Sequence, residues 1–297
     1  MKNELKRRLQ ENAALVDGAL AEYLQTPDRD LDLLYESMRY SALAGGKRIR
    51  PFLVLEFCRM FGGEAKAALP FACAIECVHA ASLIHDDMPC MDDDDLRRGK
   101  PTNHMVFGED IALLAGDALV TKGYELASDN DAVKPEIALA ATKMLLKNAG
   151  AIGMMGGQQI DLWGETHAVS FPLLLKMHAK KTGALIIASA KLGCYAAGIA
   201  SEDDERMKNA ALYAENIGLA FQVIDDILDA TSDDVTLGKR VHADEKMEKT
   251  TFLSEMSIED AYQYAKEKTK IAVEAISKYE NSGILTALAN HLLNRDK

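Results

Sequence analysis

Apolar residues return every three or four positions along almost the whole chain, the period of a helix with one buried face. Leu5, Leu9, Leu15, Val16, Leu20 and Leu24 mark a first amphipathic helix that stops near Pro27. Leu31 to Leu43 mark a second, ended by Gly45-Gly46. Pro51 opens a third, in the first turn where its missing N–H costs little. After Gly62-Gly63 the segment Ala65 to Asp87 is apolar nearly all round, as expected of a helix in the middle of a bundle. The same periodicity predicts helices over 109–128, 136–149, 172–199, 204–230, 258–279 and 284–293. Strand-like alternation persists nowhere, and no proline-rich linker, repeat or low-complexity tract marks a boundary. The pattern predicts an all-α fold, with residues 1–297 forming a single domain, one large bundle of about ten or more helices. Such bundles build their sites between facing helices, near the helix ends.

Composition narrows the function. A hydrophobic content of 48% with 27% charged residues is that of an ordinary globular chain. The formal net charge of −12 argues against nonspecific nucleic-acid binding, which needs a basic surface. It leaves room for a small anionic substrate, because metal ions and local arginines reverse the sign inside a pocket. The five cysteines form no C-x-x-C pair. Cys73 and Cys77, four apart on one helix, read as small buried residues rather than metal ligands. The amino-terminal segment is charged throughout and lacks the apolar core of a signal peptide. No run reaches the roughly 18 to 20 uninterrupted apolar residues of a membrane span. The expectation is a cytoplasmic protein without stable membrane insertion.

Two acid clusters about 140 residues apart carry the chemistry. Asp86 and Asp87 close the apolar fourth helix, Pro89 forces the chain out of helix, and Asp92 returns a third carboxylate. Adjacent acids repel, and a helix C-terminus is already negative, so this stacking calls for a cation. Mg²⁺ suits the donors: a hard ion that takes carboxylates and fills its other positions with water and phosphate oxygens. An EF-hand is excluded, since its glycine and distal glutamate are missing from their positions. The second cluster, Asp225, Asp226 and Asp229, places Asp225 and Asp229 on one face of a helix, where like charges destabilise unless bridged. Around these acids lie cations fit for phosphate oxygens: Arg97-Arg98, Lys180-Lys181-Thr182, Gly238-Lys239 and Lys249. Gly45-Gly46-Lys47-Arg48-Ile49-Arg50 is a glycine turn followed by three cations, which reads either as a diphosphate-sized pocket or as a helix cap. It is no P-loop, because the spacing is wrong and no strand precedes it. His79 sits two helical turns below Asp86.

Taken together, GGKRIRP, SLIHDDMPCMDDDDLRRGKPTNH, GGQQIDL, KTGALI, FQVIDDILD and LGKRVHADEKMEKTT resemble the trans-isoprenyl diphosphate synthases, the family of farnesyl and geranylgeranyl diphosphate synthases. The resemblance spans nearly the whole chain. It implies an all-α fold around a deep central cavity, a homodimer, and about three Mg²⁺ ions per active site. It implies head-to-tail condensation of isopentenyl diphosphate with an allylic diphosphate. Carried over, Asp86, Asp87, Asp92, Asp225, Asp226 and Asp229 hold the metals. Arg97, Lys181, Thr182, Gln222, Lys239 and Lys249 resemble ligands of the allylic diphosphate. Lys47, Arg50, His79 and Arg98 resemble ligands of isopentenyl diphosphate. The chain departs from the family at His242 and at Thr251-Phe252-Leu253, changes expected to leave the acids untouched. A terpene cyclase and a non-catalytic partner subunit are rival readings, and the retention of both Asp clusters speaks against each.

Product length rests on Val78, Ala81 and Ser82, one to two turns before Asp86. In this family an aromatic residue at position 81 or 82 floors the pocket and stops growth at C15. Both residues here are small, and an alanine in place of a tyrosine frees on the order of 100 Å³. With the two-residue insertion in the first acid motif, this resembles geranylgeranyl (C20) synthases, with a farnesyl (C15) product as the alternative.

Overall fold

The computed structural model describes residues 2–231 and 250–295. These residues are helical except for short connections. The helices are α1 (Lys2–Tyr23), α2 (Asp32–Ala42), α3 (Ile49–Met60), α4 (Ala65–Asp86), α5 (Asn103–Phe107), α6 (Glu109–Ser128), α7 (Pro135–Ala149), α8 (Met154–Gly164), α9 (Phe171–His178), α10 (Ala184–Ala196), α11 (Glu205–Thr231), α12 (Ile258–Ile276) and α13 (Gly283–Leu293). A five-residue π turn, Ala179–Gly183, joins α9 to α10. The helices expected over Leu5–Leu24 and Leu31–Leu43, from Pro51, and over 65–87, 109–128, 136–149, 204–230, 258–279 and 284–293 match within a few residues at each end, whereas the single helix expected over 172–199 is broken into α9 and α10 by the π turn. The features that escaped the periodicity include the short helix α5, the helix α8 and a hairpin. The helix α8 was not expected, because its Gly156-Gly157 start resembles a break. A two-stranded hairpin, β1 (Leu96–Arg97) with β2 (Lys100–Pro101), follows the first acid motif. Its turn places Arg98 at φ 54° and Gly99 at φ 75°, the paired left-handed conformation of a tight hairpin.

The chain forms two compact units, Met1–Leu146 with Ala188–Ser201, and Lys147–Ile187 with Glu202–Lys297. Two of the crossings fall inside α7 and α10, so no linker composition marks them.

In the first unit α4 is central, with α1, α2, α3 and α6 packed around it. Its alanines from Ala67 onward, with Phe71, Ile75, Val78 and Ile84, are buried. Gly116 and Gly123, seven apart on α6, let the two helices approach closely. A Cβ at Gly123 would lie 2.7 Å from the Ala74 carbonyl oxygen, and one at Gly116 would lie 2.5 Å from His85 Cδ2. Among the described residues α4 alone has the length and hydropathy of a membrane span, and 72% of that window is buried inside the protein. Burial in this unit therefore accounts for its composition.

In the second unit α11 packs along α12, with α13 and the π turn beside them. Val223, Ile224, Phe252, Ala261, Ala265 and Leu293 form its core. Tyr213 is fully buried and donates its hydroxyl hydrogen to the Leu285 carbonyl at 2.7 Å.

Candidate active site

The first unit gathers the first acid motif and the cations expected beside it. Asp86 ends α4, and Asp87 caps it, 3% exposed. The chain then folds back, with the Asp92 N–H donating to the Asp86 carbonyl at 2.9 Å. The hairpin returns Arg97 onto Asp87, its Nε 2.7 Å from both carboxylate oxygens. Burial pushes the Asp87 carboxyl upward, and the Arg97 guanidinium opposes that shift. Tyr40, Asp87, Arg97, Arg98, Lys100 and Asn103 line one cleft.

The glycine turn before α3 has a steric purpose. Gly45 and Gly46 hold φ 83° and 130°, conformations that glycine alone takes easily. Arg98 hydrogen-bonds the Gly45 carbonyl, and a Cβ at Gly46 would lie 2.7 Å from the Arg98 Nη1. Arg50 Nη1 lies 3.2 Å from His79 Nε2. A guanidinium only donates, so the neutral imidazole accepts at Nε2. Burial, then Arg50, Arg98, Arg48 and Arg97, hold His79 well below its ordinary pKa. Arg50, His79 and Arg98 are thus brought to one place, while Lys47 on the same turn stays exposed.

Arg48 corrects the reading of that turn as three cations facing a ligand. It turns inward in a left-handed conformation, φ 48°. Its Nε donates to Asp17 at 2.8 Å, its Nη1 to Glu76 at 2.5 Å and its Nη2 to the Ala42 carbonyl at 2.7 Å. The sequence reading missed both acids, because Glu76 interrupts an apolar helix where only a buried partner explains it.

Val78 and Ala81 are fully buried on α4. Ser82 is half-buried and donates to the His79 carbonyl at 2.8 Å. Cys73 and Cys77 are buried, and burial pushes the Cys77 thiol up to about 12, as for small core residues.

The second unit gathers the second acid motif with the KTG segment. Gly157 on α8 fits against the π turn, where a Cβ would lie 2.6 Å from the Lys181 Cα. Lys181 Nζ then meets Asp161 of the same helix at 2.6 Å. Asp161 lies in the quoted GGQQIDL motif, yet its role as the lysine's counter-ion needed the fold. Lys180 is spent on the Ile152 carbonyl. The Thr182 hydroxyl donates to Gln222 Oε1 at 2.7 Å, and Gln222 Nε2 donates to Asp225 at 3.3 Å. Asp225 also pairs with Arg295, which donates to the Phe221 carbonyl at 3.1 Å and lies 4.0 Å over the Phe221 ring. No pattern near the carboxyl end pointed to Arg295. Asp226 accepts the Phe252 N–H at 2.8 Å, which corrects the expectation that the departure at Thr251-Phe252-Leu253 leaves the acids untouched. Burial chiefly, with Asp225 and Asp229 nearby, pushes the Asp226 carboxyl up to about 6. Asp229 is exposed. Lys239 and Lys249 lie outside the described residues.

Among the described residues no three His, Cys, Asp or Glu side chains are gathered as a ready-made metal cage. The donor set still fits Mg²⁺, which binds through one or two carboxylates plus substrate phosphate. Each acid motif already attracts a cation, Arg97 at Asp87 and Arg295 at Asp225.

A profile of the polyprenyl synthetase family matches residues 31–290. The chain belongs to the polyprenyl synthetase family. Among its relatives, the heterodimeric geranylgeranyl pyrophosphate synthase large subunit 1 of Arabidopsis thaliana chloroplasts is 42% identical, over 95% of this chain and 77% of the relative. The farnesyl diphosphate synthase of Escherichia coli is 44% identical, over 88% of this chain and 89% of the relative. The crystal structure of a FPP/GFPP synthase from Zymomonas mobilis superposes with a TM-score of 0.89 at 37% identity, covering 99% of this chain and 100% of that one. The family match runs through both units and includes every acid of the two motifs.

Proposed function

We propose that this polyprenyl synthetase is a short-chain trans-prenyltransferase that joins isopentenyl diphosphate head-to-tail to dimethylallyl, geranyl and farnesyl diphosphates, with geranylgeranyl diphosphate as its main product. The observation that carries the reading is that each acid motif sits beside groups fit for diphosphate oxygens: Asp87 is gripped by Arg97, and Asp225 accepts from Gln222, which is bonded to Thr182 next to Lys181. Asp86, Asp87, Asp92, Asp225, Asp226 and Asp229 hold Mg²⁺. When bound, that ion supplies Lewis-acid withdrawal of charge from the leaving diphosphate.

The protein's own groups do the rest. Arg97, Lys181, Thr182, Gln222, Lys239 and Lys249 bind the allylic diphosphate and stabilise the charge that collects on it as the C–O bond ionises. Lys47, Arg50, His79 and Arg98 hold isopentenyl diphosphate so that its double bond meets the allylic carbon. Neutral His79 serves as a hydrogen-bonding group rather than a charge. The new C–C bond leaves a proton to be lost, and the departed diphosphate takes it. Residues 1–297 act as one polyprenyl synthase domain, a reading supported by a family match that crosses both units. The protein works in the cytoplasm, consistent with five free cysteines. It works as a homodimer. Leu113, Leu114 and Leu139 on α6 and α7 stay about half exposed on the single chain, which favours a covering partner.

Small Ala81 and Ser82 favour C20, while the farnesyl synthase relative keeps C15 as the second reading. Incubating the purified protein with Mg²⁺, isopentenyl and dimethylallyl diphosphates, then sizing the products, tests both. C20 product whose formation stops in EDTA is expected. Farnesyl diphosphate alone under excess isopentenyl diphosphate overturns the length. No diphosphate release by the protein on its own overturns the enzyme reading in favour of a partner subunit.

A further inference from the structure

His178 is the last residue of α9, next to the π turn that carries Lys181 and Thr182. Its Nδ1 lies 3.2 Å from Gln222 Oε1, the same atom that accepts the Thr182 hydroxyl hydrogen. Amide oxygen and nitrogen are told apart only by their partners. Here the partners decide. Asp225, already paired with Arg295, accepts only, so the Gln222 NH₂ must face it. The Gln222 oxygen then faces Thr182 and His178, and His178 must donate from Nδ1. Its Nε2 is left as a lone pair, buried and without a hydrogen-bond partner. Protonating that nitrogen would bury an N–H with no acceptor. Burial accordingly holds His178 below its ordinary pKa.

The ring is fixed as well as its tautomer. It stacks on Phe252, with centroids 5.3 Å apart and planes 16° from parallel. Phe252 is fully buried, and its backbone N–H reaches Asp226. One imidazole therefore touches both the residue that faces Asp225 and the residue that holds Asp226.

We propose that His178 is a positioning residue for the allylic half of the reaction: its Nδ1–H, with the Thr182 hydroxyl, locks the Gln222 side chain so that its NH₂ stays turned toward the second acid motif. This rests on the reading that Gln222 and Asp225 act on the allylic diphosphate. A histidine that merely filled space would be replaceable by any flat ring. Without the Nδ1–H, the Gln222 oxygen keeps only the Thr182 hydroxyl, and the side chain is held less firmly in line with Asp225.

Two substitutions separate the cases. His178→Phe keeps the stack on Phe252 and removes the donor. His178→Asn places an amide N–H near the position of Nδ1. The expected result is a loss of about tenfold in kcat/KM for the allylic diphosphate in His178→Phe, with the KM for isopentenyl diphosphate unchanged. Much of that loss should return in His178→Asn. The unfolding midpoint of His178→Phe should hold or rise, since an unsatisfied polar atom has been removed. Wild-type kinetics in His178→Phe, or an asparagine variant no better than phenylalanine, overturns the proposal. A second readout needs no turnover. Nitrogen-15 NMR of the imidazole should show a neutral ring protonated at Nδ1, and a ring protonated at Nε2 overturns the proposal even if the wild-type protein proves inactive as a prenyltransferase.

Discussion

Arg97 grips Asp87 through Nε, which lies 2.7 Å from each carboxylate oxygen, and the hairpin β1–β2 exists to bring that guanidinium back onto the end of α4. The fork geometry cannot be reproduced by an ammonium group. Arg97→Lys should therefore lower kcat/KM for the allylic diphosphate at least tenfold, about 1.4 kcal/mol, without changing product length. Steady-state kinetics with product sizing checks both halves.

Arg48 and Glu76 form a buried pair, each side chain no more than 4% exposed. Arg48→Ala strands Glu76 in the core and should cost about 3–5 kcal/mol. The double variant Arg48→Met, Glu76→Leu should recover most of that stability, as measured by urea unfolding. Its KM for isopentenyl diphosphate should stay raised, because Arg48 also anchors the turn that aims Arg50.

Gly157 has no room for a methyl group, since a Cβ would meet the Lys181 backbone. Backbone cannot rotate away, so Gly157→Ala should destabilise by about 1–3 kcal/mol. It should also displace Lys181 and reduce turnover more than a remote variant of equal stability. Comparing it with Gly18→Ala, where nothing lies within 4 Å, isolates the steric cause.

His79 gives the stability curve a sign. Its folded pKa lies well below the ordinary value near 6.5, because burial and four arginines disfavour the imidazolium. The unfolded chain takes up a proton there while the folded chain does not. Stability from this group is present above about pH 6.5 and is lost as pH falls below it. Thermal melts between pH 7 and pH 5 should show a decline that is smaller in His79→Asn. An equal decline in both proteins would rule this group out as the source.

Ala81→Tyr places an aromatic ring at the position that sets chain length in this family. Product should shorten from C20 toward C15 while turnover survives. Unchanged C20 product would move the length determinant elsewhere, with half-buried Ser82 the next residue to enlarge.

The hydrophobic period and the two Asp clusters were enough to determine the helical class, most helix spans, the acids and the family. Those features are local: a 3.6-residue repeat and a short motif need no knowledge of what lies opposite. The sequence leaves the Gly45–Arg50 turn open between a diphosphate pocket and a helix cap, and it gives no sign of α8, the β1–β2 hairpin, or the roles of Asp161, Glu76, His178 and Arg295. Arg48, Asp161, Glu76, His178 and Arg295 each depend on a neighbour distant in sequence. Arg48 faces inward because Asp17 and Glu76 wait there, and Lys181 is oriented because Gly157 lets α8 come close. Residue types state what chemistry a chain can perform. Which charge is spent inside the protein and which is left for a substrate is a matter of three-dimensional pairing, because a buried charge must find its partner wherever the fold brings one.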